Sequence, residues 1–223
     1  MIRAVSGFSD IRVNSVEMFR IKSTCMLYPD IAQFWVSDEG GMISVLDGDA
    51  VVTGNFRKDE LNGFLGFLSP RSVFCSEKTA GLIDLPYKRE DVCVMERPGE
   101  AEVCAAAGDL LKSDGVYGIL KVKGLDLPPA DAFSVDFCRR LNRGALCYYA
   151  ERDVCAAIAQ LCDRVCLITG VASHQKGAGT RALLSVIKKA DKKKVYAVCR
   201  EEVVPFYEKN GFMRSYGAVY LTK

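Results

Sequence analysis

The sequence predicts an α/β fold, mixed and α+β-like in character, in which a sheet with both antiparallel and parallel strand pairs is flanked by helices. Three observations carry this. Short runs rich in β-branched and aromatic residues, joined by tight turns, recur over 31–54 and again over 145–172. Each set is followed by apolar residues at helical spacing, over 58–68 and 179–190. After the second of these helices comes one more apolar strand, and a helix used as a crossover makes that strand parallel to the one before it.

Taken in order, residues 10–28 read as a helix with Val13, Val16, Phe19 and Ile21 partly on one face. Strands follow at 31–36 and 42–46, and the dipeptide Asp47-Gly48 makes a hairpin into a third strand at 50–54. In the helix over 58–68, Leu61, Phe64, Leu65 and Leu68 recur at helical spacing, and Pro70 ends it. A short strand at 72–76 and a helical turn at 77–83 close the first half. Residues 84–99, with two prolines, a charge run and a short strand at 91–96, read as the crossing between halves. The second half opens with a helix over 100–113, an irregular stretch at 121–129, and a helix over 130–142 with Phe133, Phe137 and Leu141 on one stripe and Gly144 past its end. Strands at 145–151, 154–162 and 165–172 form a meander. The helix over 179–190 buries Ala182, Leu183, Val186, Ile187 and Ala190. A strand at 195–199, a short helix at 202–210 and a strand at 213–222 complete the chain. The expected domains are 1–97, strand-rich, and 98–223.

Composition narrows the function classes. At 223 residues, 49% hydrophobic and 26% charged, the chain has the make-up of a globular domain with a full core. A net charge of +2 offers no global field for nucleic acid or an anionic membrane, so neither is expected as a partner. No window has the length of a membrane span and the first residues lack the apolar run of a secretion signal, so the expected location is cytoplasmic. Ten cysteines are scattered singly with no C-x-x-C pair, and His174 is the one histidine; this is the pattern of small buried hydrophobes, and no metal is expected.

The chemistry concentrates in VCLITGVASHQKGAGTRALLSVIKKADKKKVYAVCREEVVPFYEKNGF, residues 165–212. The turn Ser173-His174-Gln175-Lys176-Gly177-Ala178-Gly179-Thr180 joins a strand to a helix. Two glycines let the backbone come close to a bulky anion, and the helix start offers N–H groups and a positive dipole end. A G-x-G at such a junction is also found in plain tight turns. The third glycine of a dinucleotide fingerprint is replaced by Ala182, and the Gly-Lys-Ser/Thr of a P-loop is absent. The five lysines between 188 and 194 suit the C-terminal end of a helix dipole; contact with a cofactor phosphate is the minor alternative.

Strand, H-Q-K-G-A-G, helix, strand and F-Y-E-K-N-G-F, in that order, resemble the GNAT superfamily of acyl-CoA-dependent N-acetyltransferases. The resemblance spans about residues 98–223, its specific motifs about 165–212. Gly177 and Gly179 match the small positions of the family's pyrophosphate loop, Arg/Gln-x-x-Gly-x-Gly/Ala. His174 stands where Arg or Gln is usual, unless Gln175 takes that role, and the lead-in is about three residues short. What the resemblance implies is acetyl-CoA, or another acyl-CoA, as cosubstrate, held by the backbone of residues 174–180 (His174, Gln175, Lys176, Gly177, Ala178, Gly179 and Thr180). Thr169, Gly170 and Val171 would pair with the pantetheine arm as a strand would. The block PFYEKNGF is close to the family signature Y-E-K-x-G-F and puts Tyr207 where the general acid sits, to protonate the departing thiolate. Phe206, Gly211 and Phe212 read as packing and turn residues. CREEVVPFY shares the C-x-x-x-x-x-x-F-Y spacing of glucosamine-6-phosphate N-acetyltransferases, but lacks their Asn, so that substrate is not carried over; Cys199 reads as a buried strand residue. The general base is left open among Glu151, Glu201 and Glu202. The implied acceptor is a primary amine, on a small molecule or a peptide, and a homodimer is one option. The first half reads as a degenerate GNAT-like half, a lid or a substrate domain, and Phe34, Trp35 and Phe56 either line a pocket or pack a core. A catalytically silent acyl-CoA-binding or interaction module is the alternative function.

Overall fold

Asp47 and Gly48 both take positive φ, 52° and 82°. A two-residue turn of that kind has the twist its flanking strands need. Strands β3 (Met42–Leu46) and β4 (Asp49–Thr53) therefore pair antiparallel, from Leu46↔Asp49 to Met42↔Thr53. The structure, a computed structural model, describes residues 1–8, 11–99, 112–122, 125, 127–192 and 194–223. These form two compact units: Met1–Val94 with Cys199–Val204 and Arg214–Lys223, and Met95–Val198 with Pro205–Met213. The boundary expected after residue 97 thus falls at 94/95 in the structure, and two later segments return to the first unit.

In the first unit β2 (Gln33–Ser37) pairs antiparallel with β3 and with β1 (Ile2–Val5). Helix α2 (Lys58–Leu68) carries the chain over to β5 (Ser72–Ser76), parallel to β4. Leu61 and Leu65 of α2 pack fully buried against Ile43, Val52, Val73 and Val219. Ser69 ends the helix in the left-handed region, just before Pro70. Helix α1 (Val16–Leu27) starts where Ser15 accepts the Met18 N–H, and it buries Val16, Phe19 and Ile21. After the short α3 (Glu77–Ala80) comes β6 (Lys88–Pro98). With β11 (Met213–Thr222), antiparallel to β5, the strand order is β1-β2-β3-β4-β5-β11 and then residues 88–94 of β6.

In the second unit α4 (Ser113–Val122) and α5 (Ala130–Asn142) precede the meander β7 (Leu146–Glu151), β8 (Cys155–Cys162), β9 (Val165–Ser173). Asp153 and Asp163 take positive φ in its turns. Helix α6 (Ala178–Ala190) crosses over to β10 (Lys194–Cys199), parallel to β9. The chain then makes a 3-10 turn at Glu201–Val203 and enters α7 (Val204–Lys209). The order here is residues 95–98 of β6, then β10-β9-β8-β7. Val116, Ile119 and Leu120 of α4 and Phe137 of α5 form one core with Leu146, Tyr148, Ile158 and Ala172. The five expected inward residues of α6 are all buried.

Several expectations change. The helix expected over 10–28 starts only at Val16, because Ser15 caps it. β1 was not anticipated, since four residues are too few to show a period. β6 runs longer than 91–96, its first residues exposed on the strand. The helix expected over 100–113 lies outside the described residues apart from 112 and 113; α4 begins at 113 and takes up the start of the stretch read as irregular. Leu141 is exposed, so the α5 stripe ends at Phe137. Phe34 and Phe56 are buried and Trp35 packs edge-on to Phe64, which makes them core residues, with Phe56 also lining a cavity of the first unit.

No fixed period repeats in the sequence, yet one order of elements occurs twice: β2-β3-β4-α2-β5-α3, then β7-β8-β9-α6-β10-α7. Each is an antiparallel meander, a crossover helix, a strand parallel to the meander's last, and a short helix. The parallel ladder is short in both cases, Asp49↔Ser72 to Val51↔Phe74 and Lys194↔Val165 to Ala197↔Ile168. Among the described residues no helix is long and apolar enough to cross a membrane.

Candidate functional site

Strand β9 changes character at its middle. Val165, Cys166, Leu167 and Ile168 are buried and paired to β10. Beyond Ile168 that ladder ends, while pairing to β8 continues to Cys155↔Ser173. The register with β8 slips at this point: Ala159 faces Ile168 and Ile158 faces Gly170, which leaves Thr169 as the extra residue of a β-bulge. Thr169 is exposed. Gly170 serves packing as well, because a Cβ there would lie 3.4 Å from Leu120 of α4.

The turn after β9 is shaped by backbone. The His174 N–H donates to the Val154 carbonyl at 2.7 Å, and the Ala178 N–H to the Gln175 carbonyl at 3.2 Å. Gly177 is the N-cap of α6 with φ 83°, and no side chain caps this helix. No heavy atom lies within 4 Å of where a Gly177 Cβ would be, so the turn faces open space there. His174, Gln175, Lys176 and Gly177 are exposed, Ala178 and Gly179 buried, Thr180 between the two. Gly179 must be small for a different reason. A Cβ on it would sit 3.2 Å from the Ser173 hydroxyl and 3.7 Å from the Phe206 ring. The first turn of α6 therefore rests on the residue next to Tyr207. Lys188 and Lys189 stand in the last turn of this 13-residue helix, roughly 15 Å along its axis from the turn, and Lys194 begins β10. Lys189 lies over the Tyr148 ring and Lys194 pairs with Glu96.

Tyr207 is 7% exposed, its ring edge-to-face with Phe206 and Phe212 at 5.3 and 5.2 Å. The end of α7 is fixed by the Asn210 amide on the Phe206 carbonyl and by Arg97 on the Asn210 carbonyl. Gly211 turns the chain out with φ 82°. Phe206, Gly211 and Phe212 are thus packing and turn residues, as their types suggest.

Electrostatics weigh against two of the three candidate bases, Glu151 and Glu201. Glu151 takes both arms of the Arg181 guanidinium, 2.8 and 2.7 Å, and the Tyr149 hydroxyl as well. The Arg181 hydrogen bonds first, and the Tyr149 hydroxyl second, hold its pKa at about 2, against an ordinary 4.5. Glu201 is lowered by its hydrogen bond from Arg214 and also accepts the Cys93 thiol. Glu202 is exposed. Burial pushes the Cys199 thiol up to about 12, which leaves it protonated and a poor nucleophile. Sequence reasoning did not find Arg181 as a partner of Glu151, because 30 residues separate them and no local pattern joins them.

A meander, a bulged third strand, a parallel partner that parts from it and a glycine-opened crossover helix come together here. Solved structures share the overall fold. A GCN5-related N-acetyltransferase from Kribbella flavida superposes with a TM-score of 0.60 at 12% identity, over 92% of this chain and 94% of that one. One from Sphaerobacter thermophilus gives 0.58 at 16%, over 92% and 85%. The fold is that of the GNAT superfamily. A GNAT-family acetyltransferase from Colwellia psychrerythraea matches across 100% of this chain and 99% of its own, with a TM-score of 0.55 at 10% identity. No family model and no curated protein sequence matches the chain. At these identities the likeness carries the GNAT fold, and substrate and mechanism are argued from the residues.

Proposed function

We propose that the protein is an N-acyltransferase that moves an acetyl group from acetyl-CoA to a primary amine by direct attack. The observation that carries this reading is the end of the β9–β10 ladder at Ile168, with the Thr169 bulge beside it and the Gly177-opened start of α6 beyond it. The residues present fit such a cosubstrate. The turn faces open space at Gly177, and the helix start carries no side-chain cap that would compete for its N–H groups. On this reading the backbone of residues 174–180 takes the pyrophosphate, as helix N-termini do. Thr169, Gly170 and Val171 take the pantetheine arm along the strand edge. Bound there, acetyl-CoA would supply a thioester carbonyl as acyl donor. A backbone N–H of the parted strand would polarise that carbonyl, and Tyr207 would pass a proton to the leaving sulfur. The protein's location is proposed as cytoplasmic and the acceptor as a small-molecule or peptide amine, with a homodimer as one arrangement.

A second reading has its own support. Tyr207 is sealed between two phenylalanine rings, and Glu151 and Glu201 are both engaged in ion pairs. A module that binds acyl-CoA without turning it over would have these features. The two readings part on one experiment: a panel of amines offered with acetyl-CoA, following thiol release. Turnover that Tyr207→Phe suppresses supports the enzyme; tight binding with no turnover on any amine supports the silent module.

A further inference from the structure

The hairpin turn between β7 and β8 holds both ends of the loop that opens α6. Its own shape is set by the Val154 N–H on the Glu151 carbonyl, 3.1 Å, with Asp153 at φ 55°. At one end of the turn, the Val154 carbonyl accepts the His174 N–H at 2.7 Å, where the loop leaves β9. At the other, the Glu151 carboxylate takes the Arg181 guanidinium in a two-armed pair, where the loop has become helix. The Tyr149 hydroxyl, two residues back on β7, donates to the same carboxylate and fixes its orientation. Between the two ties lie residues 175–180, five of them exposed or small. A flexible glycine turn is thereby spanned by one four-residue brace.

We infer that Glu151, Arg181 and Tyr149, with the Val154 carbonyl, are positioning residues that pre-form the anion-binding turn at residues 174–180. The inference rests on the acyl-CoA reading above. It gives Glu151 a role other than base: its charge is spent on Arg181. It also explains why Arg rather than Lys stands at 181, since only a planar fork fills both carboxylate oxygens. Pre-forming the turn lowers the ordering cost of binding an anion there.

Amide hydrogen exchange of the unliganded full chain tests this, alongside calorimetry with acetyl-CoA. In Glu151→Gln and in Arg181→Lys, amides of 174–180 are expected to exchange several-fold faster, while those of 183–190 keep their wild-type rates. Acetyl-CoA is expected to bind about fivefold more weakly in each, in keeping with a partly exposed pair acting through a loop. Unchanged exchange over 174–180 in both variants overturns the brace. So does a speeding shared equally by 183–190, which marks general destabilisation. If wild type binds no acetyl-CoA, the acyltransferase reading falls, and the exchange result alone still decides whether the turn is braced.

Discussion

On the proposed reading, Tyr207 is the residue that gives the proton. Its phenol would give a proton to the thiolate, and the neighbouring Phe206 ties its helix to the first turn of α6. Tyr207→Phe keeps the ring packing and removes the proton. In an amine assay it is expected to lower kcat about a hundredfold, within the usual range for a general acid, with acetyl-CoA affinity unchanged by calorimetry. An unaltered kcat would remove Tyr207 from the mechanism. Glu151 makes a prediction of another kind. Its folded pKa of about 2 lies below the ordinary 4.5, so the pair contributes fully above pH 4.5 and fades as pH falls toward 2. Thermal melting of wild type against Glu151→Gln should show a constant difference from pH 7 to 5 that shrinks below 4.5 and closes as pH nears 2. An undiminished difference at pH 3 would mean the carboxylate acts through something other than its charge.

Elements were legible where pattern and boundary chemistry agreed. α2, β5 and α5 fall on the residues that periodicity, Pro70 and Gly144 mark out. α6 was legible from its apolar stripe, and Leu183 in that stripe is fully buried. Leu183→Ala is expected to cost about 2–5 kcal/mol in denaturant unfolding; a loss under about 1 kcal/mol would mean the stripe is not a packed core. What was not legible depended on partners far along the chain. β1 is a strand because Val5 meets Phe34 and Ile2 meets Ser37. Its four residues carry no signal alone. The loop was legible as a glycine turn, but its brace joins residues 30 apart, and the end of the β9–β10 ladder is a property of two strands that no single stretch encodes.

At the scale of the whole molecule, one order of elements is used twice and only the second copy carries the glycine loop and the tyrosine block. The first copy has Gly54 at φ 90° after β4, but its backbone lies against Gly40 and Gly41, and a Cβ there would be 2.6 Å from the Gly40 carbonyl oxygen. That turn serves close packing, and the second unit is where the acyl-CoA reading concentrates. The described cysteines are unbridged and seven of the nine are buried, as expected of small core residues. The central claim is that the turn at residues 174–180 binds the pyrophosphate of acetyl-CoA. Calorimetric titration of the purified chain beside Gly177→Glu tests it most directly: the acidic side chain would put negative charge where the phosphates are to sit. Micromolar binding by wild type, lost in the variant, is the predicted result. Absence of binding by wild type, or equal binding by the variant, would contradict it.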